Sequence, residues 1–283
     1  ATHQPQDGGF TRTHRADQGR DLATRYAKGN RLQHRVRWLR RVGKGNFAKF
    51  NEVNRRSVHR AIIPLMTQTT PQTMHYLTIP VTPFDQNCSI VWCDATKKAA
   101  VIDPGGDLEK ILAEVKRLGL ALEQIWLTHG HIDHVGGTAV LAQRLNLPII
   151  GPHQADRFWI DQLPAQSQRF GFAHADVFTP TRWLVDGDTV TVGKVTLNVR
   201  HTPGHTPGHV VFHSPEAQRA FVGDVLFAGS IGRTDFPQGH HDTLIASIKE
   251  RLWPMGNDTI FIPGHGPESS FGRERRMNPY VAD

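Results

Sequence analysis

The run Thr128-His129-Gly130-His131-Ile132-Asp133-His134 constrains this chain more than any other. It packs three imidazoles and a carboxylate into six consecutive positions, and these are the ligand types on which zinc, iron and manganese sites draw. Leu122-Glu123-Gln124-Ile125-Trp126-Leu127, just before it, reads as a buried strand. Val135-Gly136-Gly137-Thr138-Ala139-Val140-Leu141-Ala142, just after it, reads as the start of a helix. The ligands therefore fall in a strand-to-helix loop at the carboxyl end of a strand, where α/β folds place their chemistry. A lone histidine would read as an ordinary core or surface residue, but the HxHxDH spacing in that setting does not.

From Met74 the chain alternates strand and helix signals. Strands are predicted over 75–81, 87–93 and 98–106, the last closing in the turn Pro104-Gly105-Gly106. Asp107 reads as the cap of a helix with Leu108, Ile111, Leu112, Val115 and Leu118 on one face, ended by Gly119. A helix to about Asn146, a short strand over 148–151, a helix over 153–163 and a long loop over 164–181 follow. Trp183-Leu184-Val185 and Thr189-Val190-Thr191-Val192 read as a hairpin about Asp186-Gly187-Asp188. Further strands over 195–200, 210–212, 220–224 and 259–262 and a helix over 241–252 complete the pattern. Strands repeatedly end in His or Asp beside Gly and Pro, namely at His205, Asp224 and His265 as well as at 129–134. Two β-rich halves, each wrapped by helices, imply two sheets inside and helices outside.

The net charge of +7 is unevenly placed. Residues 1–73 hold 15 Lys and Arg against 4 Asp and Glu, while residues 74–283 hold 18 against 22. The basic character belongs to the N-terminal quarter, as in a tail or appended segment. Its one periodic piece, Leu32, Val36 and Leu39 flanked by Arg31, Arg35, Arg37, Arg40 and Arg41, allows a short basic helix for nucleic acid or an anionic membrane. A disordered arm is the second reading. The favoured reading is a non-native extension ahead of a domain that begins at Met74. Cys88 and Cys93 are five apart in one strand, so they point to opposite faces and cannot pair there. Free buried thiols fit a reducing, cytoplasmic compartment. No apolar run approaches the roughly 18 residues of a membrane helix.

Together these motifs resemble the metallo-β-lactamase-fold hydrolases, and among them the short bacterial glyoxalase II-like hydroxyacylglutathione hydrolases that lack a long C-terminal helical domain. The resemblance covers residues 74–283. It rests on residues 79–88, Asp103 to Gly106, Thr128 to His134, Leu163 to Ser167, Thr202 to His209, Gly232 to Pro237, Pro263 to Pro267 and Glu274 to Pro279. It implies an αββα sandwich, an α/β (α+β) fold with two sheets face to face. It also implies two divalent metal ions, zinc first and iron or manganese also suited. His129, His131 and His205 would hold one ion and Asp133, His134 and His265 the other, with Asp224 and a hydroxide bridging them. His209 is expected to support the site without ligating, and His153, His174, His201, His213, His240 and His241 are expected to be non-ligands.

The activity implied is hydrolysis of a glutathione thioester, S-D-lactoylglutathione giving D-lactate and glutathione, as in methylglyoxal detoxification. Asp133 would orient the nucleophile. Thiolate leaves easily, so no separate general acid is required. Arg233 and Arg275 are the candidates for the substrate carboxylates, with Arg273 and Arg276 nearby. The first competitor is a persulfide dioxygenase with one iron on His129, His205 and Asp224, which shares the Gly232-to-Phe236 stretch. A lactonase or β-lactamase comes next. A nuclease is disfavoured because the catalytic part is net negative, and a non-catalytic scaffold because every ligand position is filled. The sequence does not fix the oligomeric state.

Overall fold

The computed structural model describes residues 73–283. The extension read above, up to residue 72, lies outside the described residues. One sheet has the order β1 (Met74–Val81), β2 (Gln86–Cys93), β3 (Lys98–Ile102), β4 (Ala121–Trp126), β5 (Ile149–Ile150). The other runs β13 (Ser269–Ser270), β12 (Ile260–Pro263), β9 (Arg219–Gly223), β8 (Val210–Ser214), β7 (Val195–His201), β6 (Thr189–Val192). A small ribbon pairs β10 (Leu226–Phe227) with β11 (Ser230–Ile231).

The core forms three apolar layers, which is the αββα arrangement. Val91, Ala100, Ile102 and Trp126 of the first sheet meet Val192, Leu197, Val199, Phe212 and Ile262 of the second. Trp126 and Phe212 face each other across that layer with ring centroids 5.6 Å apart. Outside the first sheet, Ile90, Val101 and Ile125 pack against Ile111 and Val115 of α1 (Leu108–Arg117), Ile132 and Val135 of α2 (Ile132–Val135) and Leu141 of α3 (Thr138–Leu145). Outside the second sheet, Val211, Val222 and Phe261 pack against Leu244 of α6 (His241–Ser247), Ile248 and Phe271 of α7 (Phe271–Met277). Strand parity sorts the cysteines too: both are free and buried, Cys88 in the outer layer and Cys93 between the sheets.

Several local expectations are corrected. Asp107 adopts φ +48° and makes no side-chain cap; its carboxylate instead accepts from the Thr82 backbone N–H at 3.1 Å. The helix expected over 153–163 is a 3-10 turn, Gln154–Asp156, followed by the short α4, Arg157–Ile160. The loop expected from Pro164 begins as a helix, α5 (Leu163–Phe170), because proline in a first turn loses no hydrogen bond and Leu163, Gln166 and Ser167 form one buried face. Residues 183–185 form no strand. The hairpin is β6 with β7, where Val192 pairs with Val195 across Gly193 and Lys194. The helix expected over 241–252 ends at Ser247 and continues as a π turn, Ile248–Leu252.

The ends of β3, β4, β9 and β12 gather on one edge of the sandwich. The two sheets are stitched there by Asn87 N–H to Gly264 O at 2.7 Å and Val210 N–H to Thr128 O at 2.8 Å.

Candidate metal centre

The loop after β4 delivers His129 and His131, and α2 opens immediately after them with Asp133 and His134. The β7–β8 loop supplies His205, the end of β9 Asp224 and the end of β12 His265. The structure brings all seven together. Nε2 of His129 and Nε2 of His205 lie 3.1 and 3.0 Å from Nδ1 of His131. Nε2 of His265 lies 3.1 Å, and Nε2 of His134 3.9 Å, from Oδ2 of Asp133. Asp224 stands between the two groups. Its Oδ1 is 3.3 Å from His134 Nε2, and its Oδ2 is 3.6 Å from His205 Nε2 and 3.7 Å from His265 Nε2.

These residues fit a pair of cations. A tetrahedral ion with ligand bonds near 2.1 Å sets its donor atoms about 3.4 Å apart, close to the spacing of the three-histidine group. His134 Nε2 and Asp224 Oδ1 face each other at 3.3 Å, buried at the centre without a well-formed hydrogen bond, a costly state that a cation between them would relieve. At Gly264, beside His265, a Cβ would collide with Asp224 Oδ1 and His134 Cε1, so only glycine lets this strand end close on the ligands.

A surrounding layer sets which nitrogen each ring offers. His134 Nδ1 donates to Asp103 Oδ2 at 2.9 Å, His205 Nδ1 to Arg233 O at 2.7 Å and His265 Nδ1 to Phe84 O at 3.2 Å. Thr128 Oγ1 donates to Asp103 Oδ2 at 2.5 Å and so accepts from His129 Nδ1 at 3.0 Å. These four rings thereby leave Nε2 pointing at the centre, while His131 presents Nδ1. His209 is used differently: its Nε2 accepts the Asp224 backbone N–H at 3.1 Å, and its ring stacks on that of His129. It braces the strand that carries Asp224. His153 and His201 stack on each other away from the ligands, with centroids 4.3 Å apart.

The electrostatics differ between the two ligand groups. Burial, and then neighbouring histidines, pushes His129 and His131 well below the usual imidazole range, so both are neutral at pH 7. Burial opposes ionisation of Asp133 and Asp224, but His134 and His265 outweigh it and hold both carboxylates low. His134 and His265 are raised, because Asp224 and Asp133 outweigh their burial. A bound cation would take the place of those protons.

Aromatic rings surround the centre. Trp159 and Phe236 sit with centroids 4.5 and 4.9 Å from that of His131, and Phe227 lies 6.3 Å from His265. Arg233 stands over the Phe236 ring at 4.6 Å and pairs with Asp235 through two hydrogen bonds, 2.9 and 2.8 Å. Arg275 lies on α7 and pairs with Asp283. Glu274, its chain neighbour, is buried and accepts from Gly229 N–H and Asn278 Nδ2. Two supporting carboxylates have no site role in the sequence reading. Asp103 carried a signal, as an aspartate at a strand end beside Pro-Gly-Gly. Asp156, buried in the 3-10 turn, carried none.

The chain belongs to the metallo-beta-lactamase superfamily, whose family model matches residues 81–265. It is 46% identical over 204 residues to the hydroxyacylglutathione hydrolase GloC of Haemophilus influenzae, spanning 72% of this chain and 96% of that protein. Among solved structures it is similar to BLEG-1, a B3 metallo-beta-lactamase, with a TM-score of 0.69 and 34% identity over 74% of this chain and all of that one (100%). It is also similar to TTHA1623 in a di-iron-bound form, with a TM-score of 0.67 and 37% identity over 72% of this chain and 100% of that one. Fold, ligand cluster and relatives together define a metal-dependent hydrolase with a site for a divalent metal pair.

Proposed function

We propose that the chain hydrolyses glutathione thioesters, S-D-lactoylglutathione first among them, with His129, His131 and His205 holding one metal ion, Asp133, His134 and His265 the second, and Asp224 shared. The observation that carries this reading is the convergence of two complete ligand sets on one carboxylate, in a chain 46% identical to a protein named hydroxyacylglutathione hydrolase. A divalent pair held there supplies Lewis acidity, which lowers the pKa of water and polarises a carbonyl.

The chain's own residues supply the rest. Asp133, 3.1 Å from His265 Nε2 at the more open side of the cluster, would orient the attacking water. His134 and His205 are locked by Asp103 and the Arg233 carbonyl, so the cluster enters the reaction already arranged. Phe227, Phe236 and Trp159 shield it from bulk water, which strengthens every charge interaction inside. Among the described residues, the buried carboxylates Asp103, Asp156 and Glu274 each accept several hydrogen bonds. None is free to protonate a poor leaving group, which suits a thiolate. Arg233, exposed beside His205, is the first candidate to meet a glutathione carboxylate, and Arg275 is the second.

The geometry supports a pair of metals over the one-iron alternative, since a dioxygenase on His129, His205 and Asp224 needs neither Asp133 nor His265. Zinc is the expected metal. No helix among the described residues is long and apolar enough to cross a membrane, and two free buried cysteines suit a cytoplasmic enzyme. The deciding experiment is metal analysis of the purified protein beside hydrolysis of S-D-lactoylglutathione. Two metal equivalents with thioester turnover is the expected result. One iron with oxygen uptake on glutathione persulfide would replace this reading by the dioxygenase.

A further inference from the structure

The most isolated carboxylate outside the ligand set is Asp156, which has no measurable exposure. No cation neutralises it among the described residues. What it has instead is three donors from the two loops that carry the histidine set. Oδ2 accepts the Gly130 backbone N–H at 2.9 Å and the Thr206 hydroxyl at 2.8 Å, and Oδ1 accepts the Gly208 backbone N–H at 2.5 Å. Gly130 lies between His129 and His131; Thr206 directly follows His205. The loops come from different sheets, and this one side chain holds both.

The packing is equally close. A Cβ at Gly208 would strike Asp156 itself, and one at Gly130 would strike Trp159, whose ring covers His131. Burying a carboxylate is expensive even when hydrogen-bonded, and burial pushes Asp156 up to about 7 against the pull of its three donors. An apolar residue could fill the space at lower cost, but it could not take hydrogen bonds from both loops at once.

We propose that Asp156 is the positioning residue of the three-histidine site. By tying Gly130 to Thr206 and Gly208, it sets the separation of His129 and His131 from His205, and with it the affinity for the ion they hold. The proposal rests on the reading that these three histidines bind a metal. Of the second set, Asp133 and His134 lie on α2 and His265 at the end of β12, and Asp156 accepts no hydrogen bond from either element, so its effect falls chiefly on one of the two ions.

The test is cobalt(II) titration of the apoprotein, followed by the ligand-field absorption of each site, with affinities from chelator competition. Wild type, Asp156→Asn, Thr206→Val and Glu274→Gln are compared. Glu274→Gln changes another buried carboxylate, one bonded to Gly229, Ser269 and Asn278 rather than to the histidine loops, so it reports any effect of stability alone. Removing a group that orients ligands typically lowers metal affinity 10–100-fold. Asp156→Asn is expected to weaken one cobalt equivalent by about that factor and leave the other within about twofold. Thr206→Val should shift the same equivalent in the same direction by less, and Glu274→Gln should shift neither. Thr206→Val keeps side-chain shape, so the outcome is readable even where Asp156→Asn does not fold. Unchanged affinities in Asp156→Asn and Thr206→Val beside a two-cobalt wild type would overturn the proposal, as would equal weakening of both ions. A wild type that binds no cobalt would overturn the metal reading beneath it.

Discussion

His134 and Asp103 form the buried hinge of the metal centre: Nδ1 of the ring donates to Oδ2 of the carboxylate at 2.9 Å, and neither side chain is more than 3% exposed. Asp103 takes two further bonds, from Thr128 N–H and Oγ1, and so fixes one ligand ring from each metal set. Replacing it by Asn puts an amide where one of these donors points. The expectation for Asp103→Asn is a 10–100-fold loss in metal affinity or activity, measured by chelator competition and by initial rates at saturating metal. Wild-type affinity would show that the ring is oriented by other contacts.

Asp133 and His265 belong to the second ligand group alone. Asp133→Ala and His265→Ala are each expected to remove most thioester hydrolysis while the far-ultraviolet circular dichroism stays that of the wild type. Metal content should fall from two equivalents to one. Near-wild-type turnover in His265→Ala would mean that a single ion suffices.

Arg233 is anchored by Asp235 and Phe236 with its guanidinium at the rim. If it meets a carboxylate of the substrate in both ground and transition states, Arg233→Ala raises KM and leaves kcat nearly unchanged. Arg275→Ala, which breaks the pair with Asp283, is expected to change KM less. A fall in kcat alone for Arg233→Ala would place it among the groups that act only in the transition state.

Acid should destabilise the fold through His213. Burial, followed by the charge of Arg200, pushes this histidine down to about 4, against roughly 6.5 in an unfolded chain. The unfolded state therefore binds more protons between those values, so stability is complete above about pH 6.5 and is lost as the pH falls toward about 4. The thermal midpoint of wild type should drop across that window more steeply than that of His213→Gln. Parallel curves would contradict a buried neutral His213.

A chain beginning at Met74 is expected to fold, bind metal and turn over thioester like the full chain. Insolubility of the shortened form, or a salt-sensitive affinity for nucleic acid that truncation abolishes, would assign the basic segment a role of its own.

The sequence by itself determined the ligand types, their strand-end loops, the αββα class and the opposite faces of Cys88 and Cys93. These follow from spacing and period, which are local properties. It misplaced the hairpin before β6 and the cap at Asp107, and it read a loop where Leu163–Phe170 is helical. In those stretches turn residues fit several partners, and only packing chooses between them. What the tertiary structure alone decided is the support of the site. Nothing near Asp156 in the chain marks it as special, because its three donors come from residues 26, 50 and 52 positions away. The resemblance already pointed to Asp224 as the carboxylate between the two groups, and the fold realises that position by ending β9 beside β12, in parallel, with Pro263 opposite Gly223. A residue that acts by joining distant loops is defined by where those loops meet, and that is set by the two sheets closing on a common core.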